Sequence, residues 1–359
     1  MQRSLLFAAA LAFLPAGVSA QQWQLLDAGT TASLRAVSAV NANVAWAGGS
    51  RGTVLRTTDG GRHWQHLSVP GADSLDFRSI HAFDSLTAVI ASAGQPARIY
   101  RTQDGGRTWT IRHTDSRPSA FFDAMAFWDN RRGLVMSDPI DGHWLILKTS
   151  DGGKTWHDIP AGALPPALAN EGGFAASNTC LTVAGQNDAW FATGGAGTSR
   201  VFHSSDGGEH WTVAATSVDA SNPSSGIFGI AFANPQQGVV VGGDYQKPHQ
   251  GERNIAITSD GGGTWQSAGA FHPVGLVSGV VTVPATGGTF VATGESGSAY
   301  SLDNGQSWIL IDSTAFYAAS FTSPSAGWAV GARGRVARLT GALPGVAEST
   351  HPRGGDAHE

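Results

Sequence analysis

The sequence predicts an all-β fold, a seven-bladed propeller of four-stranded antiparallel blades closed by the N-terminal strand. Three observations predict it. Gly makes up 48 of 359 residues, roughly twice its ordinary share of ~7%, which disfavours helices at about 1 kcal/mol per interior site. A turn motif recurs six times at a period of 40–55 residues, the spacing of propeller blades. A seventh unit begins at Phe316 and stops short of its motif, while a strand resembling the missing one stands at the other end of the chain.

The repeat begins as Thr57-Thr58-Asp59-Gly60-Gly61-Arg62-His63-Trp64 and returns at 102–109, 149–156, 204–211, 258–265 and 301–308. Its consensus is [ST]-x-D-[GN]-G-x-[TSH]-W. The aspartates, Asp59, Asp104, Asp151, Asp206, Asp260 and Asp303, are 45, 47, 55, 54 and 43 residues apart. Asp-x-Gly suits a tight hairpin, because the carboxylate accepts backbone N–H groups and Gly takes positive φ without a steric cost. Six copies around a ring cannot converge on one site, so these aspartates are structural rather than catalytic or metal-binding. Ahead of each motif lie an alternating apolar strand, as in Leu34 to Val40 or Phe77 to Phe83, and a second strand ending in small residues, as in Val44 to Gly49.

In the seventh unit, Phe316 to Phe321, Gly327 to Gly331 and Arg335 to Leu339 supply three strands. Residues 22–27, Gln-Trp-Gln-Leu-Leu-Asp, match the strands that follow the other motifs, as at His63 to Leu67, and are expected to be the fourth. Seven of the 12 Trp residues then occupy one position of the repeat, and Trp46, Trp190 and Trp328 another. Most of the aromatic content is blade packing.

Residues 1–20 have the layout of a secretory signal peptide: Arg3, an apolar run from Leu5 to Leu14, and small residues at Val18-Ser19-Ala20. The run is shorter than the ~20 residues that span a bilayer, so cleavage after Ala20 and a periplasmic or secreted chain are expected. Residues 341–359, rich in Gly, Pro and charge, are expected to form a disordered tail after a 21–340 propeller. The net charge of −5 without a basic run disfavours nucleic acid. The single Cys180 excludes a disulfide framework or cysteine cluster, and its apolar surroundings suit a buried thiol. No dinucleotide fingerprint, Cys-x-x-Cys, haem motif or His-x-x-x-His pair occurs, so neither cofactor nor metal is expected.

Function is expected where the repeat is broken. The two longest spacings contain the connection from Pro160 to Ala176 and the loop from Gly242 to Arg253, and Ser137 to His143 is a third departure. All map to the face opposite the six motif turns. That face is expected to gather Asp138, Asp141, Glu171, Asp244, Tyr245 and Glu295, with Arg51, Arg200, Arg253 and Arg333. Arg35, Arg78 and Asp123, near the starts of innermost strands, would edge the central channel. Convergent charges at a concave mouth suit a binding site; the competing reading is a solvated rim, and Asp138-Pro139 and Asp141-Gly142 are also ordinary turn dipeptides.

The six-fold motif resembles the Asp-box, or BNR, repeat, and the resemblance covers nearly all of residues 22–340. Sialidases and related glycoside hydrolases carry that repeat. Their resemblance would imply an arginine triad, a Tyr–Glu pair and Phe-Arg-Ile-Pro, but Phe77-Arg78-Ser79-Ile80 lacks the Pro and is a repeat strand. Photosystem II assembly/stability factors also carry it. Phe121 to Asp129, Met136 to Gly142 and Glu171 to Thr179, with the short regular blades, resemble that group and its bacterial relatives outside photosynthesis. This resemblance implies a non-catalytic scaffold that holds a partner through an arginine-bearing face, matched here by Arg35, Arg78 and Arg333. The expected partner is an envelope or secreted protein or a glycan, and the chain is expected to be monomeric. The alternative is a glycoside hydrolase or carbohydrate-binding protein using carboxylates of the same face.

Overall fold

The computed structural model describes residues 21–251, 253–268 and 275–345. These residues form seven four-stranded antiparallel sheets arranged as the blades of one ring. Six blades are simple meanders, the first running Leu34–Ala39, Ala45–Gly49, Val54–Thr57, Gln65–Leu67 from axis to rim. The seventh comprises Ala318–Ser323, Ala326–Val330 and Val336–Thr340, and its outer strand is Gln22–Leu26. Trp23 lies opposite Leu339 in that pairing. Trp23 Nε1 also donates to Ser298 Oγ of blade six, 2.7 Å away, so the closing strand is pinned to two blades. Residues 1–20 lie outside the described residues. Of the expected tail, residues 341–345 run against the ring: Leu343 is buried and its N–H donates to Pro324 O. Among the described residues, no helix is long and apolar enough to cross a membrane.

The core is divided among the blade interfaces. Trp46 packs with Phe77, Ile90 and Tyr100 between blades one and two, and equivalent clusters follow around the ring to Trp23, Tyr300 and Leu339 between blades six and seven. The second-strand tryptophans are fully buried and cross these interfaces. Trp46, Trp190 and Trp328 donate their indole N–H to carbonyls of the next blade, at Asp84, Gly261 and Asn41. Trp328 and Trp46 meet the Asp-box Trp64 and Trp109 of the following blades edge to face, at 5.7 and 6.3 Å.

The Asp-box consensus is explained atom by atom. Asp59 accepts from Thr57 Oγ1 and the His63 N–H on one oxygen, and pairs with His63 Nδ1 on the other. Thr108, Thr155, Thr264 and Ser307 take the His63 role with a hydroxyl, and His210 with its ring. Bonds donated by His63 and Thr108 hold the Asp59 and Asp104 carboxyls down at about 2. These turns also bond the turn between the first two strands, as in Gly60 N–H to Asn43 O. They therefore define one face of the ring, and the remaining loops define the other.

Candidate functional site

The inner strands of five blades carry a β-bulge near their start. The register skips Arg35, Arg78, Asp123, Phe228 and Ser278 in blades one, two, three, five and six. A bulge leaves one residue out of the ladder and re-aims its side chain. Bulges repeated around an axis therefore present a ring of differing side chains at the channel mouth on the loop face. The second strands end in small residues because the bulged backbone fills their space: a Cβ on Gly242 would stand 1.9 Å from Gly226 O.

Arg35, Arg78, Phe228 and Ser278 line a cavity of about 620 Å³ at this mouth, with Tyr317 just ahead of the blade-seven inner strand. Arg35 is half-buried, with its guanidinium 4.4 Å from the Tyr317 ring centroid. Among the described residues it makes no ion pair and no hydrogen bond. Burial, with the Arg78 charge beside it, pulls its pKa below the usual arginine value. Arg78 is committed differently: its Nε donates to Asp76 Oδ2 at 2.9 Å, and it lies 5.7 Å from the Phe121 ring.

The long blade connection reaches this mouth through glycine. Gly172 and Gly194 exchange backbone hydrogen bonds, and Gly194 also bridges Gly226. A Cβ on Gly194 would lie 2.5 Å from the Gly226 Cα. This close crossing delivers Phe174, whose ring stacks on Phe228 at 4.2 Å. Tyr245, from the other repeat-breaking loop, is 52% exposed and meets both rings edge-on.

Asp138 faces the cavity and accepts the Gly173 N–H at 2.8 Å. Burial pushes its carboxyl up to about 6. Asp123 lies beneath it, fully buried, and neither of its oxygens has a hydrogen-bond partner among the described residues. Burial, then the neighbouring Asp138 charge, raises the Asp123 carboxyl well above its ordinary range. Burial does the same to the Cys180 thiol, which packs 4.0 Å from Met136 Sδ. No group of three His, Cys, Asp or Glu is placed to hold a metal among the described residues.

Residues 16–118 match the family described as photosynthesis system II assembly factor YCF48. Two YCF48 structures share the ring. YCF48 bound to D1 peptide superposes with a TM-score of 0.63 at 19% identity, covering 92% of this chain and 98% of that one. YCF48 from Cyanidioschyzon merolae gives 0.61 at 17%, covering 89% and 99%. The fold is a YCF48-like propeller. The GH74 xyloglucanase from Xanthomonas campestris is similar over 88% of this chain and 53% of its own, with a TM-score of 0.61 at 16% identity. No curated protein gives a significant match.

Around this ring the sequence candidates separate. Asp138, Tyr245, Glu295, Arg35 and Arg78 line the mouth. Glu171 does not: its side chain is fully buried, bonded to Arg200 and Thr193 and to the Leu168 N–H. Asp244 accepts from Ser224 Oγ, Asn222 Nδ2 and the Gln246 N–H, which organise its own loop. Arg253 pairs with Asp219 at 3.6 Å beside a separate hollow. Asp141, Arg51 and Arg333 occupy exposed left-handed turn positions, each followed by Gly, and line no part of the cavity. Sequence reasoning did not single out Phe121, Phe228, Leu276 or Ser278, and it reached Phe174 only as part of the connection from Pro160 to Ala176. The available signal was the position: Phe228 and Ser278 stand in phase with Arg35 and Arg78, at the inner-strand site that the bulge releases from the ladder.

Proposed function

We propose that this chain is a non-catalytic binding scaffold that holds a polypeptide segment of an envelope or secreted partner protein at the loop-face mouth. Arg35 carries the reading. A half-buried cation at a concave opening, in no direct ion pair among the described residues and with Asp76 and Glu295 acting on it only through space, is suited to an anionic group supplied from outside. The likeness to a YCF48 structure bound to a D1 peptide supports a polypeptide as the ligand class. The leader-like residues 1–20 support export. The hydrolase alternative loses two of its acids, since Glu171 and Asp244 are spent on internal hydrogen bonds. Asp138 and Glu295 still face the cavity, so the experiment includes them.

The test is capture of partners from the native envelope fraction by residues 21–359, with wild type and Arg35→Glu side by side. Thermal melts establish that both are folded. A partner retained by wild type and lost with Arg35→Glu is expected, and identical retention would overturn the reading. Turnover of aryl glycosides or xyloglucan, abolished by Asp138→Asn or Glu295→Gln, would replace it with the hydrolase.

A further inference from the structure

Seven apolar clusters account for the seven blade interfaces, and an eighth is surplus to them. Ala176, Phe228 and Leu276 are buried together, with Phe174 packed against them, at the channel mouth. No repeat position requires this cluster. Phe228 occupies the bulge site that holds Arg35, Arg78 and Asp123 in other blades, and Phe174 arrives on a connection that breaks the period. Tyr245 extends the cluster outward. A large ring kept half in water, on a loop anchored by the Asp244 bonds, offers contact area at little entropic cost.

The cavity thus has two unlike halves. Blades seven, one and two contribute Tyr317, Arg35 and Arg78. Blade five and its neighbouring connections contribute Phe228, Tyr245 and Leu276. We infer that the aromatic half is a side-chain subsite, which takes an aromatic or large aliphatic side chain of a polypeptide segment whose acidic side chain sits against Arg35. The inference rests on the binding role proposed above and adds the apolar requirement. On a lining that also carries Asp138 and Glu295, the unpaired Arg35 guanidinium is the place for the occupant's acidic element, and the surplus cluster is the place for its apolar one. A sugar is the weaker occupant, since Phe174 and Phe228 each spend a face on the other at 13° between planes.

Short fluorescent Gly/Ser peptides carrying one Phe and one Glu, in every relative spacing, are the probe. Each is compared by anisotropy with its Phe→Ala and Glu→Gln forms. For the best spacing, loss of the Phe should weaken binding about tenfold or more. Tyr245→Ala, a change at an exposed site, should erase the Phe-over-Ala preference and keep the Glu-over-Gln preference. Arg35→Gln should do the reverse. Wild-type protein that distinguishes Glu from Gln but not Phe from Ala would overturn the subsite and leave the scaffold reading standing. The subsite also falls if Tyr245→Ala retains the Phe preference. Absence of any peptide preference would overturn both proposals, as would a neutral glucan oligosaccharide whose binding alone is lost in Tyr245→Ala.

Discussion

Asp138 combines an outward role with an inward cost. Its carboxyl orients Gly173, but burial lifts it to about 6 from an ordinary value near 4. A raised acid favours the neutral form, so it leaves stability intact below about pH 4, costs more as pH rises to about 6, and costs a constant amount above. Asp138→Asn keeps an oxygen for the Gly173 N–H and removes the charge. At pH 7.5 it should raise stability by up to about 3 kcal/mol, and at pH 4 the gain should vanish. Denaturant melts at the two pH values check this, and equal effects at both would refute it. The sequence placed Asp138 on the loop face but could not separate it from Glu171. Both are acids in repeat-breaking segments, and what distinguishes them is a partner 29 residues further on, Arg200.

At the scale of elements, the connection from Pro160 to Ala176 is held by that partner. Arg200 bonds Glu171 through Nε at 2.8 Å and also donates to Pro166 O, stapling the middle of the segment to the third strand of blade four. Glu171→Gln would leave the guanidinium without its counter-charge. The expected loss is about 3 kcal/mol, with faster proteolytic cutting within 160–176. Unchanged melting and cutting would mean that the glycine crossing at Gly194 suffices to hold the segment. The length of this connection was legible as a departure from the period. Its path was not, because a three-glycine backbone crossing leaves no pattern distinct from the many turn glycines of this chain.

At the scale of the molecule, the ring was the most legible feature. Six Asp boxes fix the strand order locally, and the unfinished seventh unit calls for the strand at the other terminus. Pairing of Gln22–Leu26 with Val336–Thr340 removes what would otherwise be an open edge between blades seven and six. A chain beginning at residue 28 should therefore melt well below one beginning at residue 21, by calorimetry at matched pH. Equal midpoints would show that the strand contributes nothing to closure. The mouth was only partly legible for the complementary reason. A repeat predicts what is the same in each blade, whereas the cavity is built from bulge residues that differ.

The pairing between Gln22 and Thr340 also imposes an order in time. During synthesis the first of the described strands to emerge waits for the last of them, Gln22 and Thr340 being 318 residues apart, so six blades accumulate while the circle is still broken. Chains interrupted before residue 336 would carry a stranded Trp23 and an uncovered blade flank. The ring is complete only when that single junction is made.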